Sequence, residues 1–296
     1  MSPKKVAVTG GTGFLGAYLL KELVRQGHEP VVLSTKNRDF DYELRETDYS
    51  VESLEAVLAD VDGVIHLAAK RGAQPRIEEF HEGEILTQNV LEAAKNCGIK
   101  HVVFASSISV YSDEDLLPWT EDQAATPISM YGIAKLSSEM IGEWYANRYG
   151  MKVKSLRMAH LFGALEKNNY MINIFIRKAY LNKPLEVKDS LSKREFLYAK
   201  DAALALATSL FKEGHGPFNI GSGEAFTNLE VAKKINEAFD NRQDIEDKGV
   251  DESIPSSYFS GQKAKELLGF EHQYSFSEAL EEIRREMEGH DVQEVY

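Results

Sequence analysis

Cysteine is almost absent from this sequence, which has a single one, Cys97, among its 296 residues. One cysteine cannot form an internal disulfide, and a cysteine-rich metal cluster is excluded for the same reason. We therefore expect no metal site and no disulfide framework, and the composition fits a reducing, cytoplasmic compartment.

Positive charge is also in short supply, because 34 lysines and arginines face 47 aspartates and glutamates, for a net charge of −13. Such a surface repels nucleic acid and anionic membranes, so neither is an expected partner. Long apolar runs are missing as well: no window approaches the roughly 18 apolar residues that span a bilayer. Residues 1–5 lack the apolar core of a signal peptide, and we expect a soluble, cytoplasmic protein.

What the first half does contain is an alternation of short apolar runs and amphipathic stretches. The runs, at 6–8, 31–33, 64–67, 101–105 and 153–156, are typical of buried parallel strands. The stretches at 15–26, 51–58, 85–96 and 131–149 have helical periodicity. This order predicts an α/β fold with a doubly wound parallel sheet of the Rossmann type.

After about Phe162 the pattern changes to helical segments at 172–181, 201–211, 228–239 and 276–287. We predict a large Rossmann domain over 1–162 and a smaller, mostly helical lid over 163–296, with some segments returning to the large domain. Strand-like segments at 194–198 and 218–220 are expected at the seam between the two. The acidic stretch 240–251 is expected to be a solvated loop.

A glycine-rich turn, TGGTGFLG at 9–16, follows the first predicted strand and opens the first predicted helix. Its first glycines permit a tight turn close to a pyrophosphate, and its last permits close packing of helix on strand. The helix amino terminus adds free N–H groups and a positive dipole. The pattern predicts a dinucleotide site made by Gly10, Gly13, Phe14, Leu15 and Gly16.

The end of the second strand indicates which dinucleotide is bound. An acidic residue there would accept hydrogen bonds from the adenosine ribose and repel a 2′-phosphate. Ser34, Thr35 and Lys36 occupy this place, followed by Asn37 and Arg38, so NADP(H) is favoured over NAD(H). The alternative is that both cations are only solvated loop charges.

Tyr131 and Lys135 lie four residues apart, which on a helix places them on one face. A neighbouring ammonium and an oxidised nicotinamide both favour the phenolate, so this pair suits proton transfer coupled to hydride transfer. Ser107 follows the fourth strand, at the edge where ligands bind in such sheets, and its hydroxyl can donate to the same substrate oxygen. Ser106 and Ser109 are close alternatives.

These motifs together resemble the extended short-chain dehydrogenase/reductases, the nucleotide-sugar epimerase and dehydratase family. The resemblance includes the Gly-x-x-Gly-x-x-Gly spacing and later segments at 87–94, 194–201, 218–223 and 263–269, and it covers nearly the whole chain. It implies an NAD(P)-dependent enzyme, most simply a 4-epimerase of UDP-hexoses or UDP-N-acetylhexosamines that works through a 4-keto intermediate. It also implies a homodimer formed through helices 85–96 and 131–149.

The resemblance also assigns roles to individual residues. It places Asp48 and Tyr49 at the adenine, and the strand end at Leu67, Ala68 and Ala69 beneath the cofactor. Tyr131, Lys135 and Ser107 become the catalytic residues, the first two also contacting the cofactor. The implied substrate contacts are Arg71, Ser107, His160, Asn169 and Arg194.

The chain departs from the family pattern at three places. Gly83 and His160 stand where the family usually has asparagines, and an arginine that grips the diphosphate is missing from 251–257. His160 is open to two interpretations, ligand contact or core packing. Two other functions stay open: an NADPH-dependent ketoreductase of a sugar nucleotide or small carbonyl compound, and a non-catalytic dinucleotide-sensing module.

Overall fold

The structure is a computed structural model that describes residues 3–70 and 76–296. Over these ranges the strands are β1 Lys5–Thr9, β2 Glu29–Ser34, β3 Glu43–Glu46, β4 Gly63–His66, β5 His101–Ser107, β6 Lys152–Met158, β7 His160–Phe162, β8 Leu185–Val187, β9 Lys193–Tyr198, β10 Gly216–Ile220, β11 Ala225–Thr227 and β12 Ile245–Asp247. The α-helices are α1 Phe14–Arg25, α2 Val51–Leu58, α3 His81–Asn96, α4 Met130–Tyr149, α5 Met171–Tyr180, α6 Ala199–Ser209, α7 Asn228–Ala238, α8 Gln262–Leu268 and α9 Phe276–Met287.

A parallel sheet is the centre of the larger part of the molecule. Among the described residues it has seven strands in the order β10-β6-β5-β4-β1-β2-β3. The order reverses at β1, which pairs with β2 on one side and with β4 on the other. In open sheets of this kind ligands bind outside the carboxyl ends of the strands at such a reversal. The expected Rossmann-type fold is confirmed.

Helices cover both faces of this sheet because its strands are apolar on both sides. On one face, leucines of α1 and alanines of α6 pack against β1, β5 and β6. On the other, α2, α3 and α4 pack against the opposite side chains of the same sheet. The two layers hold the carboxyl ends of the strands and the amino-terminal ends of α1 and α4 in fixed relation.

A second hydrophobic cluster forms the core of the smaller part, drawing on α5, α7 and α9 together with β7, β8 and β9. Two small sheets accompany it in the described chain, β11-β9-β7 and β12-β8. Helix α6 packs on α1, and α8 packs on β10, so these segments return to the large sheet. The division at residue 162 stays a prediction. No helix of the described ranges has the length and apolar character needed to cross a membrane.

Two segments of the second half need comment. Residues 218–220 belong to β10, which pairs along β6 as the edge strand of the large sheet, and their place at a seam stays a prediction. The acidic stretch 240–251 is not only loop, since it contains β12, paired in parallel with β8. A three-residue acidic strand has no periodicity to detect, and it forms because β8 supplies the hydrogen bonds.

Lys154 on β6 is a buried cation, with no exposed surface and no hydrogen-bond partner for Nζ among the described residues. Burial lowers the pKa of this lysine to about 8. Below that pH the folded state holds a desolvated charge, and the penalty fades as the pH rises towards 10.5, where the unfolded chain also loses its proton.

We therefore expect Lys154→Met to raise the free energy of unfolding at about pH 7 by about 1–3 kcal/mol. The gain should shrink at about pH 10, because the wild-type lysine is then neutral in the folded state. Urea unfolding at both pH values measures this. A loss of stability would show that Lys154 has a stabilising partner, and a gain independent of pH would show that its buried charge is not the source of the cost.

Candidate functional site

The glycine turn between β1 and α1 brings main chain against main chain. Gly10 has a φ of +68°, and a Cβ there would lie 2.8 Å from the Ala68 nitrogen. A Cβ on Gly16 would lie 2.5 Å from the Gly11 carbonyl oxygen. Both contacts exclude any side chain, so the turn, α1 and the end of β4 meet as closely as backbones allow.

The amino terminus of α1 is open to a ligand. Gly13 is its N-cap, the helix begins at Phe14 and Leu15, and in the described structure no side chain caps it and no acidic residue lies in its first turn. Its N–H groups and dipole favour an anion. Together with the glycine cradle, this arrangement fits the pyrophosphate of a dinucleotide.

The end of β2 carries the two cations that bear on cofactor choice. Ser34 is buried, and its hydroxyl accepts from the Lys36 main-chain nitrogen at 3.1 Å, which turns the chain outward. Thr35, Lys36 and Arg38 are exposed beyond this turn. The structure therefore places the cations at the surface next to the strand end, where a 2′-phosphate would lie in this fold.

Asp48 and Tyr49 lie beyond the neighbouring strand β3. The Tyr49 hydroxyl donates to the Leu33 carbonyl oxygen at 2.8 Å, and burial raises the pKa of this tyrosine to about 12. The Asp48 carboxylate is exposed and accepts from the nitrogen and hydroxyl of Ser50, which lowers its pKa. Tyr49 is thus anchored to the end of β2, and an adenine contact by either residue stays a prediction.

A buried hydrogen-bond chain fixes the end of β4. The Thr9 hydroxyl accepts from the main-chain nitrogens of Leu67 and Ala68, so its proton points to Nδ1 of His66, 2.7 Å away. Nε2 of His66 then carries the ring proton and faces the Thr87 hydroxyl at 3.3 Å. Burial, with a smaller effect of Lys135, lowers the pKa of His66 to about 3, so the imidazole is neutral.

The predicted catalytic residues come from two adjoining elements. Ser107 ends β5, and Tyr131 and Lys135 lie on the first turns of α4. The Lys135 ammonium is 5.7 Å from the centre of the Tyr131 ring and donates to the Ala105 carbonyl oxygen at 2.7 Å. Ala68 and Ala69 line a small cavity of about 30 Å³ beside the same pair. The strand end, the tyrosine and the lysine therefore meet at one place.

Close packing also sets the distance between the serine turn and α4. A Cβ on Gly132 would lie 2.1 Å from the Ser109 carbonyl oxygen, so this helix begins directly against the turn after β5. The Ser107 hydroxyl accepts from the Ser109 nitrogen at 3.1 Å. Ser106 is committed elsewhere, because its hydroxyl donates to the buried carboxylate of Glu139. The Ser107 hydroxyl donates to the Ser109 hydroxyl at 3.1 Å and both line the larger cavity, so the choice of Ser107 over Ser109 stays a prediction.

A cavity of about 1060 Å³ opens beside Tyr131 and Ser107. Its wall includes four of the five predicted substrate contacts: Ser107, His160, Asn169 and Arg194. The fifth, Arg71, lies outside the described residues. The volume of the cavity suits a ligand larger than a simple sugar.

Arg194 is one of three cationic side chains in this wall, with Lys178 and Lys188. No described residue accepts a hydrogen bond from its buried Nε, and burial lowers the pKa of the guanidinium. A buried N–H donor without a described partner suits an incoming phosphate anion.

His160 lies next to Arg194. Its Nε2 is 2.8 Å from the Ser257 hydroxyl, and burial, followed by the charge of Arg194, lowers the pKa of the imidazole to about 3. The ring is therefore neutral and lies both in the cavity wall and against Phe196.

Asn169 lies in the cavity wall, but its carboxamide already has protein partners. Its oxygen accepts from Arg177 at 2.8 Å, and its nitrogen donates to the main-chain oxygen of Tyr296 at 2.8 Å. The pattern of the sequence showed neither Arg177 nor the segment around Tyr296 as part of the site. Among the described residues, no cluster of three or more histidine, cysteine or acidic side chains could hold a metal ion.

The chain is similar to known proteins over most of its length. The family described as NAD dependent epimerase/dehydratase matches residues 6–221. A crystal structure of UDP-N-acetylglucosamine 4-epimerase from Bacillus cereus is 48% identical, covers 97% of this chain and 100% of its own, and superposes with a TM-score of 0.92.

Two further relatives are more distant. A UDP-glucose 4-epimerase from Corynebacterium glutamicum is 27% identical over 90% of each chain. A structure of MoeE5 in complex with UDP-glucuronic acid and NAD is 29% identical, covers 95% of this chain and 99% of its own, and has a TM-score of 0.82.

Proposed function

The chain belongs to the NAD-dependent epimerase/dehydratase family, and from that premise we propose that it is a 4-epimerase of UDP-N-acetylhexosamines or UDP-hexoses. The observation that carries this proposal is one juxtaposition. Tyr131 and Ser107 lie between a dinucleotide cradle and a cavity of about 1060 Å³ whose wall presents the unpaired donor of Arg194. Relatives named as UDP-sugar 4-epimerases support the choice of substrate class.

In this mechanism Tyr131 removes the proton from the sugar 4-hydroxyl, helped by the ammonium of Lys135. When bound, the nicotinamide supplies reversible uptake of hydride at C4. Ser107 donates to the same oxygen and holds it while the 4-keto sugar presents its other face. Arg194 grips the diphosphate throughout, so the sugar can turn without leaving the cavity.

The residues of the cradle that would hold the dinucleotide are those of the glycine turn and the strand ends. Gly10, Gly13 and Gly16 shape the turn, and the first N–H groups of α1 meet the pyrophosphate. Asp48 and Tyr49 would contact the adenine. The main chain at 67–69 would lie beneath the cofactor.

Incubation with UDP-N-acetylglucosamine and UDP-glucose, with and without added dinucleotide, tests the proposal by chromatography of the products. The 4-epimer should form with cofactor in catalytic amount. A ketoreductase would instead consume NADPH one for one, and the exposed cations Lys36 and Arg38 favour that second candidate. A non-catalytic sensing module would give neither result, and the paired Tyr131 and Lys135 count against it.

Cofactor choice is a prediction in its own right. We expect Lys36→Asp to weaken NADP(H) binding strongly and NAD(H) binding little, because attraction to the 2′-phosphate becomes repulsion. Calorimetry with both dinucleotides, on the wild type and the variant, measures this. If the wild type binds both dinucleotides equally, or prefers NAD(H), then Lys36 and Arg38 only face solvent. The MoeE5 structure, which contains NAD, favours the second of these outcomes.

The proposed assembly is a homodimer through α3 and α4, which pack side by side. Exposed apolar side chains form a stripe on α4 at Ile133, Met140 and Trp144, with Ile85 exposed on α3. We expect light scattering to find a dimer, and Trp144→Glu to shift it towards the monomer. Leu267→Glu, an exposed site on α8, is the control. A wild-type monomer would refute the assembly.

A further inference from the structure

The segment after α9 returns to the substrate cavity. Val292 is buried in the core of the smaller part, which ties the segment down. Glu294 and Val295 then line the same cavity of about 1060 Å³ that Ser107, Tyr131 and Arg194 line. This segment, residues 294–296, is the tail strip.

One buried arginine holds the tail strip in place. Arg177 on α5 is only 2% exposed, and its Nε donates to the Glu294 carbonyl oxygen at 3.0 Å. The same guanidinium donates to the Asn169 side chain, which donates in turn to the Tyr296 main-chain oxygen. It also lies 5.1 Å from the centre of the Tyr296 ring. A single side chain therefore contacts both ends of the strip and orients the asparagine between them.

Charge at the strip is balanced before any ligand arrives. Glu294 pairs with Lys183 and, at 3.5 Å, with Lys178, and these contacts lower the pKa of its carboxyl. Its negative charge is thus offset next to the cavity. The strip can lie beside an anionic ligand without repelling it.

Exposure indicates that the strip is a wall and not a plug. Val295 is 58% exposed although it lines the cavity, so it stands at the opening. Its tethers run to α5 and to the loop at 166–169, and the residues that handle the sugar are on β5 and α4. The strip therefore belongs to the part of the cavity wall that α5 and the 166–169 loop hold, and not to the part that β5 and α4 supply.

We infer that the tail strip forms one wall of the substrate site and packs against the nucleoside half of the substrate, with Arg177 as its positioning residue. The inference rests on the proposed function. It also changes the role of Asn169, which acts on the substrate through the strip because its own carboxamide is engaged.

The test is the affinity for UDP alone, measured by calorimetry, so that no turnover is needed. A chain ending at Gln293 should bind UDP about 3- to 10-fold more weakly, the scale of losing one or two ordered contacts. Its dinucleotide affinity should be unchanged, because the glycine turn does not contact the strip. In turnover, KM should rise by the same factor with kcat nearly constant.

Point variants keep the test sound if the shortened chain is unstable. Val295→Glu changes an exposed residue and adds a negative charge at the cavity opening, so UDP affinity should fall as well. Val295→Ile, which keeps an uncharged apolar side chain, should leave the UDP affinity of the wild type unchanged. Gln293→Ala is the matched control, since this residue is exposed and does not line the cavity.

The outcomes separate the two proposals. If the shortened chain and Val295→Glu bind UDP as tightly as the wild type or more tightly, the inference is overturned and the proposed function still stands. Tighter binding would show that the strip competes with the nucleotide. If the intact protein binds no UDP, the nucleotide-sugar proposal fails and the inference fails with it.

Discussion

Tyr131→Phe should lower turnover about 100- to 10,000-fold, the usual scale for losing a general acid–base group. The change removes one oxygen and leaves the ring against Phe80, so the packing at the start of α4 is kept. Lys135 retains its hydrogen bond to Ala105 and the glycine turn is untouched, so dinucleotide affinity should be nearly unchanged.

Single-turnover and steady-state rates on the UDP-sugar, with dinucleotide affinity by calorimetry, measure this split. Tyr149→Phe is the matched control, because it removes the same atom from an exposed tyrosine at the far end of α4. Near wild-type turnover by Tyr131→Phe would show that another group moves the proton.

Arg194→Met should raise KM for the UDP-sugar about 30- to 1000-fold, the scale of removing one partner from a buried charged contact. The same change should not destabilise the protein without substrate, and should raise its melting temperature. The reason is that Nε of Arg194 is buried without a described partner, so methionine removes an uncompensated cost. Binding and stability are therefore expected to change in opposite directions.

Thermal unfolding and UDP titration on the same samples test this pair of effects. Arg194→Lys should have a KM and a melting temperature between those of the wild type and Arg194→Met, because it keeps the charge and loses the planar fork. Arg148→Met, an exposed arginine on α4, is the control. A large fall in melting temperature with unchanged KM would make Arg194 a structural residue only.

The elements of the large sheet could be predicted because their patterns are strong and local. Apolar runs and helical periodicity predicted the positions of β1, β2, β4, β5 and β6 to within a few residues. For α2 they predicted both ends as the structure has them. The glycine turn could be predicted as well, since at Gly10, Gly13 and Gly16 an added side chain would meet main-chain atoms. Patterns of this kind depend on neighbours along the chain.

The features that could not be predicted depend on contacts between distant segments. β12 has three residues, two of them acidic, and exists through pairing with β8. Arg177 is buried although arginine is usually exposed, because carbonyl oxygens and a side chain from two segments, the 166–169 loop and Glu294, accept from it. The part of the site formed by residues 294–296 gives no sequence signal, since its partners lie more than 100 residues away.

The most direct test of the account follows the hydrogen at C4 of the sugar. UDP-N-acetylglucosamine carrying deuterium at C4 is incubated with the protein and a catalytic amount of dinucleotide, and the products are analysed by mass spectrometry and NMR. The account predicts the 4-epimer with deuterium retained at C4 and no net change in the absorbance of reduced nicotinamide. Absence of any 4-epimer from this substrate and from UDP-glucose, together with stoichiometric oxidation of NADPH on a keto-sugar, would contradict it.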